Sequence, residues 1–529
     1  MKLFLTPLVF ALTAIIACGV AHAQEPQPLS LDDAVALALE KNGDIVVERE
    51  NLLIAGSLVT RAEAAYEPLL RGDARLRNRT DPVNSILSGA PRGELTPTTN
   101  SLQSSASLSQ LLPTGASLSL FSTLNRDRTN SVLALLTPSW STGLGAEIRQ
   151  PLMQNRRTDP ARRAIRIARV DRSRAQSSLR RVASEITASV ERAYWTLVAA
   201  RNDVAIRESS LKVAEKQRED TRVRIQAGTQ AESDLAQTTA EIERRRGDLL
   251  SSKEGVIRAE NALRNLIARD AADPLWDRPI LPEDKPLMRE AGEAPVDVAA
   301  AIARAVNNRP ELRELALRLD RQDVEIDSAL DRVRPQVDLV ASYNGRGLAG
   351  SENNDAIPIF GATPVVPSAL QGGLGRSLVN AAENRFPDAS IGVSVSLPIG
   401  NTAAKQDVAI ARAIRRQSSA LLDQARQRVS LEVRNAAAAI SSAEQRMDAA
   451  HAAREAAEIQ LQAERDRFDA GLSNNFFILT RQNDLAAAQL AEVVARTDYR
   501  KAQSELARAT GSLLDARGIH VTEETGDHR

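Results

Sequence analysis

RIQAGTQ, residues 224–230, interrupts a long run of helical pattern, and RFDAGLS, residues 467–473, interrupts a second run in the same way. Upstream of the first, Leu179, Val182, Ile186, Val190, Tyr194 and Val198 step by three or four; upstream of the second, so do Val429, Val433, Ala436 and Ile440. Both patterns resume past the glycine and continue through Leu263 and Leu514. Glycine permits the left-handed backbone that ends one helix and lets the chain reverse, so Gly228 and Gly471 mark the tips of two helical hairpins. Asp159-Pro160 opens the first arm, with the aspartate as N-cap and the proline at the first helical position. From there to Ile225 a helix runs about 100 Å at ~1.5 Å per residue. No compact domain needs that length.

The rest of the chain repeats along with the tips. LSLDDAVALALEKNGDI (29–45) is matched by VAAAIARAVNNRPEL (298–312), and EIRQPLMQN (147–155) by VSLPIGN (395–401), the latter pair and the two tips on a shift of about 245 residues. The protein is a tandem duplication. The reading divides it into a signal segment (1–23), a first repeat (24–272) with its tip near 228, a Pro-rich linker (273–295), a second repeat (296–515) with its tip near 471, and a polar tail (516–529). Pro274, Pro279, Pro282 and Pro286 keep the linker from being helical throughout.

Composition agrees with packed long helices. Only 3% of the 529 residues are aromatic while 43% are hydrophobic, most of them alanine, leucine and valine. Small apolar side chains let helix backbones approach closely. Lys+Arg and Asp+Glu both total 68, so no global field draws the protein to nucleic acid. Lys2, the apolar run Leu3–Val20 and Ala21-His22-Ala23 follow the order of a secretory signal. Cys18, the single cysteine, lies in IIACG (15–19), which also fits a lipoprotein box with Cys18 as the lipidated residue; cleavage after Ala23 is the other reading. Past the signal no apolar run approaches the ~20 residues of a membrane-spanning helix, so a membrane role requires a β-barrel.

At the base of the arms the period changes to two. Leu70, Gly72, Ala74, Leu76 and Asn78 alternate with Arg71, Asp73, Arg75 and Arg77, and Leu144, Ala146 and Ile148 with Gly145, Glu147 and Arg149. In the second copy Val337, Leu339, Ala341 and Tyr343 form one such set, and Ile391, Val393, Val395, Leu397 and Ile399 another. The pattern suits a barrel strand between lipid and water, and equally a half-buried strand of a soluble sheet. The segments Thr80–Asn100 and Asn344–Asp388, rich in Gly, Pro, Ser and Asn, read as long external loops and favour the barrel. A further hairpin, 106–111 and 116–124 around Pro113-Thr114-Gly115, is not assigned a place. Four core strands cannot close a barrel alone, so insertion requires oligomerisation.

In their order and duplication, the signal, the two opening helices, the PL and LPIG junctions, the R-x-x-x-G tips and DYRKAQSELARATGSLL (498–514) resemble the TolC-type outer-membrane efflux family over essentially the whole mature chain. The resemblance implies a mainly α fold with a membrane β-barrel. Duplicated hairpins would form a homotrimeric α-barrel across the periplasm, continuous with a 12-stranded β-barrel of four strands per protomer, in the outer membrane of a Gram-negative bacterium. It also implies outer-membrane lipid, a periplasmic adaptor (membrane fusion) protein and an inner-membrane pump of RND or ABC type as partners. Adaptor contact carries over onto Arg224, Gly228, Thr229, Arg467, Gly471, Leu472 and Ser473; turn formation by the glycines and solvent-facing charge for the arginines are the plainer roles. Some members narrow the periplasmic mouth with aspartates six and nine residues past the second tip glycine, where this chain has Phe477 and Thr480. Phe476 and Phe477 then stand as an apolar constriction or as packing between helices, and Asp234 holds the matching acidic place in the first copy.

Nothing in the sequence assembles an enzyme. Its four histidines, His22, His451, His520 and His528, form no metal or catalytic set, and there is no phosphate loop, so neither cofactor nor metal is expected. The function expected is a passive, gated exit duct for efflux or type I secretion, driven by its partners. The rival is a periplasmic coiled-coil envelope scaffold without a pore.

Overall fold

The computed structural model describes residues 27–80, 82, 89–92, 94, 96–228, 230–285, 296–358 and 365–519. The signal segment with Cys18, the tip residue Thr229, the linker end with Pro286, and His22, His520 and His528 lie outside them. In chain order the elements begin with β1 (Gln27–Leu29), α1 (Leu31–Lys41), α2 (Gly43–Glu63), β2 (Leu69–Thr80), β3 (Thr98–Leu111), β4 (Ser117–Thr129) and β5 (Leu136–Pro151). The first hairpin follows as α3 (Pro160–Gln226) and α4 (Ser233–Ile267), then β6 (Ile280–Pro282), α5 (Val298–Asn308), α6 (Pro310–Arg332), β7 (Gln336–Glu352), α7 (Leu374–Ala382) and β8 (Phe386–Ser396). The second hairpin is α8 (Thr402–Asp469) and α9 (Asn475–Thr510), and α10 (Leu513–Ala516) ends the list of elements. Two compact units result, each drawing on both sequence copies: one from Glu48–Arg181 and Arg309–Arg428, the other from the chain up to Val47, Val182–Asn308 and the chain from Val429 on.

The first of these units holds one antiparallel sheet in the order β2-β3-β4-β5-β7-β8. The expectation of four strands per protomer is therefore corrected to six, and a count of twelve for three copies no longer follows. The hairpin that had no assigned place becomes β3 and β4, inserted between β2 and β5 with unbroken register from Leu69↔Ser109 to Thr80↔Thr98 and from Thr99↔Thr129 to Leu111↔Ser117. Its serines and threonines hid it: the apolar face survives only as Leu102, Ala106, Leu108, Leu118, Leu120 and Leu124. That face stays uncovered over much of the sheet, with Leu76 at 82%, Ile391 at 79% and Leu70 at 74% exposure. In water such a patch is unfavourable by roughly 25 cal/mol per Å² of apolar surface.

The supposed loop 344–388 is also revised, since β7 continues to Glu352 and α7 folds back onto β5 and β7. Its small polar side rests on the sheet: the Thr142 hydroxyl lies 3.0 Å from the Ser377 carbonyl, and Asn380 donates to the carbonyls of Leu348 and Ala369 at 2.9 Å. A Cβ at Gly347 would stand 1.9 Å from that Ser377 carbonyl, so only glycine admits the helix. Leu378 and Val379 of α7 remain exposed.

Four helical segments adjoin this sheet, and their ion pairs set a lateral order. Arg169 of α3 meets Glu63 of α2 at 2.7 Å, Arg163 and Arg181 of α3 meet Glu325 and Glu314 of α6 at 2.6 and 3.1 Å, and Arg415 of α8 meets Asp323 of α6. The row is α2-α3-α6-α8, the order in which β2, β5, β7 and β8 join those helices. Each exposed pair contributes only about 0–1 kcal/mol, so the pairs specify neighbours more than they stabilise. Ala329 of α6 packs with Val408 and Ala411 of α8.

In the second unit the linker forms a feature with no periodic signal. β6 pairs in parallel with β1 (Gln27↔Ile280 to Leu29↔Pro282), and fully buried Tyr194 of α3 holds the junction. Its hydroxyl donates to Asp284 Oδ2 at 2.7 Å and accepts from the Asp284 N–H at 3.2 Å, while the same carboxylate accepts from the Leu31 N–H at 2.8 Å. Burial, then the bond to Asp284, pushes the phenol pKa up. α9 ends earlier than the pattern through Leu514 suggested, because Gly511 takes φ 71° and α10 starts afresh. Arg517 then reaches Glu191 at 2.8 Å and Asp32 at 2.7 Å.

Tyr194→Phe removes from Asp284 one donor and one acceptor supplied by the buried Tyr194 hydroxyl, a loss of about 1–3 kcal/mol. Amides of β1 and β6 should exchange with deuterium about ten- to a hundredfold faster than in the parent, with the sheet unchanged.

Candidate functional site

Both hairpins end at a glycine in the left-handed region. At the second tip the Leu472 N–H donates to the Arg467 carbonyl at 2.8 Å and the Gly471 N–H to the Phe468 carbonyl at 3.0 Å, with Gly471 at φ 77°. This paired closure satisfies the last carbonyls of α8. At the first tip Gly228, at φ 74°, donates to the Ile225 carbonyl at 2.9 Å. Both glycines face open space, so backbone conformation and not crowding selects them; a side chain there costs about 1–2 kcal/mol.

The remaining tip residues divide by surroundings. Arg224 spans the two hairpins: its guanidinium sits 4.6 Å from the centre of the Phe468 ring and 3.1 Å from Asp469 Oδ1. Its counterpart Arg467 is mostly exposed, 4.0 Å from Glu464. Leu472 is 80% exposed, and the Ser473 hydroxyl donates to Glu464. Phe476 and Phe477, in the first turn of α9, are both exposed and meet edge to face at 5.6 Å. Thr480 is half-buried, its hydroxyl turned back to the Phe476 carbonyl at 2.8 Å. Asp234 is half-buried in the first turn of α4, where a carboxylate complements the helix dipole.

Periodicity missed the residues that bind the arms together near the tips. Asn474 caps α9 by accepting from the Phe477 N–H, and the next residue, Asn475, is buried. The Asn475 amide accepts from Gln217 at 2.7 Å and donates to buried Thr221 at 3.0 Å, joining α9 to α3. Two adjacent asparagines before the apolar run FFIL (476–479) were the available signal for a helix start. About two turns past Asn475, the Asn483 amide donates to Glu241 Oε1 of α4 at 2.9 Å, and Arg245, itself buried, donates to the same oxygen at 2.8 Å. Burial opposes ionisation of Glu241, but bonds from Arg244, Arg245 and Asn483 outweigh it and hold the carboxyl at about 2. Glu492 is likewise lowered, against burial, by His451, Arg496 and Arg454.

Among the described residues no group of His, Cys, Asp and Glu is arranged to hold a metal, and no helix is long and apolar enough to cross a membrane. His451 instead lies 2.8 Å from Glu492 and 3.3 Å from Glu455. The tips present arginine, apolar side chains and open backbone.

Two acid and amide tests follow. Because the folded pKa of Glu241 is depressed, its stabilisation is present above the ordinary 4.5 and is lost as pH falls through about 2. Hydrogen exchange of α4 and α9 should therefore accelerate between those values, and Glu241→Gln should remove that acid step. Asn475→Ala removes the bonds from Gln217 and to Thr221 that join α9 to α3, and should raise the rate of limited proteolysis at 226–234 and 469–475 by roughly tenfold, for about 1–2 kcal/mol of lost local stability.

Comparison with known proteins agrees with the resemblance read from the residues. The family described as outer membrane efflux protein matches residues 301–512. The outer membrane efflux protein BepC of Brucella suis is 26% identical over 343 residues, covering 63% of this chain and 64% of that protein, less than two thirds of its length. Among solved structures, the outer membrane protein VceC of Vibrio cholerae superposes with a TM-score of 0.62 at 15% identity, covering 91% of this chain and 96% of that one. The CmeC outer membrane channel of Campylobacter jejuni gives 0.60 at 15% identity over 91% and 86%, and the MtrE outer membrane channel of Neisseria gonorrhoeae 0.56 at 18% over 91% and 89%. At these identities the structures show a shared fold.

Proposed function

We propose that copies of this chain, three in number, close a β-barrel in the outer membrane of a Gram-negative bacterium and continue it as a helical duct, through which substrates delivered by partners leave the cell. One observation carries the reading: a single chain joins a sheet with an exposed apolar face directly to two hairpins whose first helices have 67 and 68 residues. Lipid is the neighbour that makes such a face favourable. A scaffold without a pore leaves it unexplained.

The duct itself is passive. Energy and cargo choice belong to a periplasmic adaptor and an inner-membrane pump, which meet the tips around Gly228 and Gly471. There Leu472 and Arg467 project, and the Arg224–Asp469 pair ties the two tips of one chain together. Phe476 and Phe477, exposed on each chain, gather at the narrow end when three copies assemble, an apolar constriction in place of an acidic ring. Adaptor docking spreads the tips and opens it.

Gly471→Pro tests the tip. Proline cannot adopt φ 77° and lacks the N–H bonded to Phe468, so the loop reshapes while the sheet is untouched. Export should fall at least tenfold with the assembly intact by protein mass in detergent extracts of outer membranes; loss of the assembly instead would make this site structural. A parent that extracts as a monomer would overturn the duct. Phe476→Ser with Phe477→Ser should raise single-channel conductance in planar bilayers several-fold if these rings form the constriction.

A further inference from the structure

The inserted hairpin β3–β4 changes the size of the pore. We infer that the barrel of this protein is walled by eighteen strands, six from each copy, and opens outward through a mouth about 1.5 times as wide as twelve strands would give. The inference rests on the trimeric duct proposed above.

Three observations within the sheet carry it. First, the hairpin is wall and not flap. One row of paired residues, Leu70, Leu108, Leu120, Ala146, Tyr343 and Ala389, crosses all six strands on the apolar face. The adjacent row, Arg71, Ser107, Phe121, Gly145, Asn344 and Asp388, is polar but for Phe121 and Gly145, the Phe121 ring filling the space a Cβ at Gly145 would take. Lipid-facing and water-facing sides thus pass through β3 and β4 without interruption.

Second, β3 and β4 have 14 and 13 residues, more than the roughly 9–11 a tilted strand needs to span a bilayer. They are joined through Gly115 by a tight turn beside Asn155 and Pro151, on the side where strands pass into helices. Short turns on that side and longer loops opposite are the arrangement of outer-membrane barrels.

Third, the width fits. Three gaps in the helix row α2-α3-α6-α8, at about 8–10 Å each, span roughly 24–30 Å. Five strand gaps at a tilt of about 40° span roughly 31 Å, whereas three would span roughly 19 Å. Six strands match the four helices that feed them, so the barrel meets the helical duct without a taper. Barrels of 16–18 strands enclose an open aqueous channel, and the mouth then admits larger cargo than a twelve-stranded one.

Spin labels at single cysteines introduced from Ser117 to Leu124 test this in outer membranes, with the unmutated chain labelled alongside to subtract Cys18. Collision with oxygen should peak at positions 118, 120 and 124, and collision with a water-soluble nickel chelate at 117, 119 and 123. The protein mass of the same preparation should equal three chains. A trimer whose hairpin collides with nickel at every position would overturn the eighteen-stranded wall and leave the duct standing. A mass other than three chains would overturn the strand count through the trimer, while the alternation still reports whether the hairpin is wall.

Discussion

Backbone amides that have no partner in a non-aqueous medium cost several kcal/mol each, and this constraint governs the chain from its sheet outward. β2 and β8 terminate the sheet, and each pairs with another strand along one side only among the described residues. Beside them lies an apolar face that water disfavours. In the proposed duct, lipid accommodates the face and a closed ring of copies pairs the open edges. The duplication would supply strands and helices to such a ring in matching lateral order.

The helices depend on a different balance. Alanine-rich surfaces such as the Ile440, Ala443, Met447, Ala495 and Tyr499 cluster bury little area per residue, which leaves polar side chains to specify which neighbour is met. Asn475, Glu241 and Arg245 do so near the tips, and Tyr194 with Asp284 does so at the β1–β6 junction. Unpaired, each would be costly; paired, they exclude alternative registers of otherwise similar helix faces.

What was legible in the sequence was what repeats. The tip glycines, the Asp159-Pro160 start and the four strands with strong alternation stand where the pattern put them, except that Leu397 and Ile399 lie past the end of β8. The hairpin β3–β4 was legible as a hairpin but not as wall, because small serines on both faces, Ser104 and Ser122 among them on the apolar one, flatten the alternation. The β1–β6 pair escaped altogether, since three residues carry no period and their partner lies some 250 positions away. α7 was taken for loop because its buried side is Ser377, Asn380 and Ala381, the reverse of an ordinary amphipathic helix. At the tips the glycines announced themselves by conformation, whereas Asn475 acts through tertiary partners that no local pattern encodes.

The position of β3 and β4 within the sheet separates two properties that usually change together. Both strands find their hydrogen-bond partners inside the chain, on either side, so their presence leaves the strands that another copy would join as they were. In the proposed barrel, bore and subunit recognition would then be independent variables: strands gained or lost in pairs at this point of the sheet would alter the diameter while the edge strands by which copies recognise one another keep the same residues.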